Sequence, residues 1–271
     1  MSKPLLALLL LLLVGPSLAW SAEAPAAAGT EAAHEGEAAA HVDWHSWHAG
    51  NEVSNLSSLQ RGARNFFAYC ASCHSLKFMR YSRMAEDLKI STEQLQQHIL
   101  PPDARAADYI VGGLNPTDAV AWFGKEPPDL SLITRARHGG VDYVYRFLKT
   151  FYVDPARATN TNNLQLAGAA MPAILSDLGG VQEAVFTDVE NVVDGKTVTV
   201  KVFSHFETTT PGLMTPVQFD AFVRDTVNFL DYVGEPTQVV RREIGVWVVL
   251  FLLALTWMAW LLKKDYWKDV H

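Results

Sequence analysis

Cysteine is nearly missing from this sequence: two in 271 residues, at positions 70 and 73. So small a number excludes a disulfide framework and a zinc site built on four thiols. Basic residues are outnumbered, with Lys+Arg 22 against Asp+Glu 29 and a formal net charge of −7. That balance argues against nucleic acid as a ligand and suits a basic protein partner. Residues 23–43 contain no Lys or Arg at all but five acidic residues. With so little apolar surface to offset the cost of ordering, this Ala-, Glu-, Gly- and His-rich stretch reads as a flexible acidic leader. His34, His41, His45 and His48 are irregularly spaced, which fits solvated side chains better than a metal site.

Charge is absent from two further stretches, one near each end. Leu5 to Val14 is an apolar run of 10 residues after Lys3, followed by Gly15-Pro16 and the small residues Ala19, Ala22 and Ala24. This is the pattern of a secretory signal peptide over residues 1–22, and the run is short for a bilayer span. Ile244 to Leu262 is 19 residues without a charge, about 28 Å as a helix and close to the hydrocarbon thickness. Trp247 near one end and Trp257, Trp260, Tyr266 and Trp267 near the other suit interfacial anchoring. The expected layout is a leader at 23–43, an exported domain at 44–234, a juxtamembrane linker at 235–243, a span at 244–262 and a tail at 263–271. Export of the large domain first would leave the tail in the cytoplasm, with the domain held at the membrane by one helix.

What is present is concentrated in Cys70-Ala71-Ser72-Cys73-His74. C-x-x-C-H is the attachment signature of c-type haem. Two thiols at this spacing reach the two vinyl groups of one porphyrin, and the next residue presents an imidazole to the iron from the same side. A reducible disulfide would not need the histidine, and a zinc site would need a second pair of thiols.

Around the motif the periodicity is helical. Leu56, Leu59, Ala63, Phe66, Phe67 and Cys70 recur at three- and four-residue spacing, after a cap offered by Ser57 or Ser58. The cysteines thus arrive at the C-terminal end of an amphipathic helix. Ser91 and Gln94 form a capping-box pattern for a helix from Thr92 to Leu100, ended by Pro101-Pro102. Residues 112–126, rich in Gly, Pro and Asn, read as loop, and Val141 to Phe151 as a helix stopped near Asp154-Pro155. Val181 to Phe206 alternates and carries Asp194-Gly195, which predicts a hairpin with a type I′ turn, most simply a surface insertion. Thr215, Pro216 and Gln218 open a last soluble helix that Gly234 and Pro236 close; Phe219, Phe222, Val223, Leu230 and Val233 form its apolar stripe.

Haem propionates need paired donors, for which arginine's planar fork is suited. Arg135 or Arg137 could supply it, with Tyr143 adding a neutral hydrogen bond; a surface helix with solvated arginines is an equal reading of the same spacing.

The haem motif, Pro127-Pro128-Asp129-Leu130-Ser131, the Arg135-x-Arg137-His138-Gly139-Gly140-x-Asp142-Tyr143-Val144 block and the downstream Met-Pro pair together resemble the cytochrome c1 family. The tail from Gly234-Glu235-Pro236 through Lys-Lys-Asp-Tyr-Trp-Lys-Asp-Val-His is similar to bacterial members. The resemblance implies a mainly α, class I-like c-type cytochrome domain, here with a small β-hairpin insertion and one C-terminal transmembrane helix. It implies one covalent haem c, with His74 and a methionine as axial ligands; of Met79, Met84, Met171 and Met214, the first two are on short tethers from His74, and Met171-Pro172, in an irregular segment that could cross the haem, is the one favoured. It also implies Arg137 on a propionate assisted by Tyr143, and the Pro128 carbonyl on the His74 imidazole. It further implies electron transfer within the cytochrome bc1 complex, the ubiquinol–cytochrome c reductase. The partners would be cytochrome b, the Rieske iron–sulfur protein, a cytochrome c acceptor and membrane lipid, in a dimeric complex. No residue of this chain would be a quinol catalyst. The competing readings are an independent anchored cytochrome c shuttle and, from another class, a haem-based ligand sensor with an open sixth position.

Overall fold

Asn55 starts the first α-helix: its side-chain oxygen accepts from the Ser58 amide at 3.1 Å, satisfying one of the donors a helix start leaves unpaired. In the computed structural model, which describes residues 42–193 and 196–269, α1 runs Leu56–Tyr69. There follow β1 (Leu76–Arg80), α2 (Tyr81–Asp87), α3 (Thr92–His98), β2 (Tyr109–Ile110), α4 (Pro116–Phe123), α5 (Ile133–Ala136) and α6 (Gly140–Lys149). Then come β3 (Phe151–Val153), β4 (Thr161–Asn163), α7 (Ser176–Gly179), β5 (Val181–Val193), β6 (Lys196–Thr210), α8 (Pro216–Gly234) and α9 (Gln238–Tyr266). The strands pair antiparallel as β1–β2, β3–β4 and β5–β6. The architecture is mainly helical, as expected. The signal peptide, nearly all of the acidic leader and the hairpin's two turn residues lie outside the described residues.

The core is the crossing of α1 and α8. Phe66, Val223, Val227 and Phe229 are fully buried there, each large side chain contributing about 1.5–3 kcal/mol relative to exposure. Gly62 makes the close approach possible, since a Cβ on it would fall 2.7 Å from Cβ of Phe229. Polar side chains fix the register. Asp225 accepts from Ser58 Oγ at 2.6 Å and from Arg61 Nε at 2.6 Å, and Asn65 Nδ2 donates to Thr226 Oγ1 at 3.1 Å. Ser58 is thus a tertiary contact rather than the cap, which Asn55 provides. Of the expected α8 stripe, Phe222, Val223, Leu230 and Val233 are buried, and the capping box of Thr215 and Gln218 is complete.

Three local expectations need correction. Residues 112–126 contain helix α4, because Asn115 caps it, Pro116 occupies its first position and Gly124 ends it at φ 76°. The helix expected to reach Phe151 stops at Lys149, since the chain turns at Thr150 into β3, which pairs with β4. His48, expected to be solvated, donates from Nδ1 to Asp142 Oδ2 at 2.7 Å, and Asp142 also accepts from the Ala49 amide at 2.8 Å.

At the other end α9 begins at Gln238, so part of the stretch expected as a linker is already helical. Its apolar side chains, such as Trp247 and Phe251, are exposed in the isolated chain. A surface of that size is stable only in lipid or against other spanning helices.

Candidate functional site

The C-terminal turn of α1 delivers the haem motif. The backbone closes on itself there: the Cys73 amide donates to the Cys70 carbonyl at 3.0 Å and the His74 amide to the same oxygen at 2.8 Å. Both thiols are free and half-buried. Burial, reinforced by neighbouring Cys73, pushes the Cys70 thiol up to about 12. An uncharged sulfur suits an apolar porphyrin edge.

His74 is buried, and its Nδ1 lies 2.8 Å from the Pro128 carbonyl oxygen. A carbonyl can only accept, so the proton sits on Nδ1 and the lone pair on Nε2, the tautomer a metal ligand needs. Burial pulls the imidazole below its usual value, partly offset by the Pro128 carbonyl and the charge of Asp129. The ring is therefore neutral at pH 7, with one nitrogen left to bind.

The Pro-Pro-Asp-Leu-Ser block grips the segment after the motif along its whole length. Asp129 accepts from the Lys77 amide at 2.8 Å and from the Ser131 amide at 2.9 Å. The Leu130 amide donates to the Ser75 carbonyl at 2.9 Å, and Ser131, fully buried, accepts the Phe78 amide on Oγ at 3.1 Å. From the other side Gly112 donates to Ser75 Oγ at 2.8 Å. A Cβ on Gly112 would lie 2.9 Å from the Cys73 carbonyl oxygen. Ser75, Gly112, Asp129 and Ser131 are the positioning residues that sequence reasoning missed. The Asp-x-Ser spacing is an Asx-turn signal, but its cross-chain partners are not readable from sequence.

The two arginine candidates are separated by the structure. Arg135 Nη2 pairs with Asp231 Oδ1 at 2.9 Å and with Glu235 at 3.5 Å, so its fork is committed to α8. Arg137 makes no ion pair among the described residues, and its guanidinium lies 5.5 Å over the ring of Tyr143. The Gly139-Gly140 corner between α5 and α6 takes φ values of 88° and 54°, which glycine adopts without strain.

Among the methionines, Met79 and Met84 are sealed in the core at 2% and 0% exposure, where they act as packing. Met214 packs against the core from outside it. Met171 is half-buried and lines a cavity of about 280 Å³. The loop bearing it is folded by two buried asparagines on β4. Asn162 Oδ1 accepts from the Gly168 amide at 2.8 Å. Asn163 Oδ1 accepts from the Leu166 amide at 3.0 Å, while its Nδ2 donates to the Phe147 carbonyl at 2.8 Å. The structure thus brings Pro128 onto His74 and Arg137 onto Tyr143 and folds the loop that precedes Met171, while the cavity that Met171 lines includes none of Cys70, Cys73 and His74.

The donor set fits a covalent haem: two unpaired thiols, a neutral imidazole with one nitrogen free, a soft thioether outside the core and an uncommitted guanidinium. Comparison with known proteins agrees. The model of the Cytochrome C1 family matches residues 47–190 and 211–270. The chain is 46% identical over 211 residues to "Cytochrome c1" of Allochromatium vinosum, covering 78% of this chain and 84% of that one. It is 38% identical over 211 residues to the "Ammonia monooxygenase gamma subunit" of Nitrosomonas europaea, covering 78% and 82%. It is 26% identical over 233 residues to "Cytochrome c1, heme protein, mitochondrial" of Saccharomyces cerevisiae, covering 78% and 66%.

Proposed function

The chain belongs to the cytochrome c1 family, and from that premise we propose the residues that make it an electron carrier. It is a membrane-anchored haem c protein, the electron-transfer subunit of a cytochrome bc1 complex. Cys70 and Cys73 would hold the porphyrin as thioethers, and His74 through Nε2 and Met171 through its sulfur would be the residues that bind the iron. Pro128 fixes the His74 tautomer, Arg137 neutralises a propionate, and Tyr143 supports that arginine. The observation that carries this reading is the 2.8 Å bond from His74 Nδ1 to the Pro128 carbonyl at the end of a C-x-x-C-H turn.

Haem c supplies a one-electron iron couple, and imidazole–thioether ligation raises its potential. The chain's own residues do the rest. The α1 turn and the Pro-Pro-Asp-Leu-Ser block hold the imidazole rigid, which keeps reorganisation on electron transfer small. The neutral His74 and soft Met171 favour the reduced iron, and so does the positive charge of Arg137. None of these residues moves a proton to or from a substrate, so the chain is a conductor within the reductase and not itself the quinol-oxidising enzyme.

The electron comes from the Rieske iron–sulfur protein and leaves to a cytochrome c, with cytochrome b alongside α9 in a dimeric assembly. The haem domain faces the periplasm of the inner membrane and the tail the cytoplasm. Solubilisation in mild detergent tests this: the chain should co-migrate with haem b and an iron–sulfur subunit. Migration alone would support a separate shuttle. Co-migration with a different membrane oxidase would favour the role suggested by the relative named ammonia monooxygenase gamma subunit.

A further inference from the structure

A second cavity, of about 360 Å³, lies where the haem domain meets the spanning helix. Its apolar walls include Val53, Leu59 and Pro236, and its polar lining includes Asp87, Lys89, Glu235 and Gln238. Gln238 is 3% exposed, and its side-chain oxygen has no hydrogen-bond partner among the described residues. A buried acceptor without a donor is costly, and native proteins leave few of them.

The charges around it are unevenly committed. Asp87 accepts from Arg83 at 2.6 Å and from the Tyr232 hydroxyl at 2.8 Å. Glu235 is bound by Arg241 and approached by Arg135 at 3.5 Å. Lys89 makes no ion pair among the described residues. The unmet need of the cavity is thus an N–H or O–H for the Gln238 side-chain oxygen, while the exposed Lys89 offers an ammonium to an anion and the two arginine-held carboxylates leave a cationic donor no like charge to meet.

Its level is that of the membrane surface. Gln238 precedes the uncharged span at Ile244 by six residues, about 9 Å of helix. The headgroup layer on one side of a bilayer is about 5–8 Å deep. We propose that this cavity binds the headgroup of a phosphoethanolamine lipid, the phosphate on Lys89 and the ammonium on the Gln238 carbonyl. The glycerol end lies against the apolar wall, and α9 guides the acyl chains into the bilayer. A choline headgroup supplies no N–H to Gln238. A phosphoglycerol headgroup can give Gln238 a hydroxyl but brings no cation to the side of Asp87 and Glu235.

The test is lipid retention by the isolated complex in nanodiscs made of equal parts phosphatidylethanolamine, phosphatidylcholine and phosphatidylglycerol, read by native mass spectrometry. Wild type should retain phosphatidylethanolamine about tenfold in preference to either of the other two lipids, relative to their bulk ratio, equivalent to about 1.4 kcal/mol. Gln238→Leu should fall to the bulk ratio while the haem spectrum stays unchanged. Should that variant not assemble, Lys89→Gln carries the same expectation. Equal retention of the three lipids, retention of none, or unchanged enrichment in both variants would overturn the proposal. A failure of this kind with an intact haem spectrum leaves the electron-transfer reading untouched.

Discussion

Asn163→Ala removes the residue that folds the Met171 loop. Asn163 is 1% exposed, and its side chain bonds the Leu166 amide, the Phe147 carbonyl and the Thr150 hydroxyl, the last at 3.3 Å. Alanine strands the Leu166 donor and one acceptor of Phe147, at about 1–3 kcal/mol each when buried. Thr150 can rotate its hydroxyl, so the expected loss is about 2–6 kcal/mol. If about 3 kcal/mol of that comes from the tether on Met171, the population with the thioether off the iron rises by roughly a hundredfold. The far-red methionine–iron band of the oxidised protein should weaken, and carbon monoxide should bind the reduced form. Asn163→Asp keeps the acceptor for Leu166 and should give a smaller effect on the band. A full-strength band and no carbon monoxide binding, with stability lowered as expected, would refute the tether and leave Asn163 a packing residue.

Met171→Leu should leave the haem attached through a denaturing gel, lower its potential and open the iron to external ligands; an unchanged potential would move the ligand elsewhere. Arg137 is exposed, so Arg137→Ala should cost less than about 1 kcal/mol of stability. Loss of its positive charge favours the oxidised iron, so the potential should fall in a redox titration; an unmoved potential would make Arg137 a solvated residue. Burial raises the Asp220 carboxyl, but hydrogen bonds from Lys149, Tyr145 and Arg224 outweigh it and hold the group at about 2, below its ordinary 3.8. A depressed folded value means stability present above pH 3.8 and lost as pH falls toward 2. Asp220→Asn should remove that part of the acid slope in a melting series, and an unchanged slope would place the sensitivity elsewhere.

The parts legible in the sequence are those governed by local rules. The C-x-x-C-H spacing, the Thr215–Gln218 box with Pro216, and the uncharged run in α9 each carry their meaning within a few residues. Helix α4 is legible too, since Asn-Pro and Gly124 bracket it, but the same Gly, Pro and Asn content is equally the composition of a loop. The rest depends on distant partners. Nothing near Arg135 in the sequence says that Asp231, on another helix, will consume its charge, while Arg137 makes no ion pair among the described residues. The Asn162–Asn163 pair looks like turn chemistry until the Leu166 and Gly168 amides fold back on it. The grip of Asp129 and Ser131 on Lys77 and Phe78 spans more than fifty residues, so no spacing rule reaches it. The resemblance supplied Pro128 and Tyr143; the residues alone left them open.

The central claim is that this chain itself carries a covalent haem c on the turn at the end of α1. The most direct test is a haem stain of the isolated complex on a denaturing gel, wild type beside Cys73→Ala. The stain should travel with this chain in wild type and fall sharply in the variant. A haem-free wild-type band, or staining unchanged by loss of the Cys73 sulfur, would contradict it.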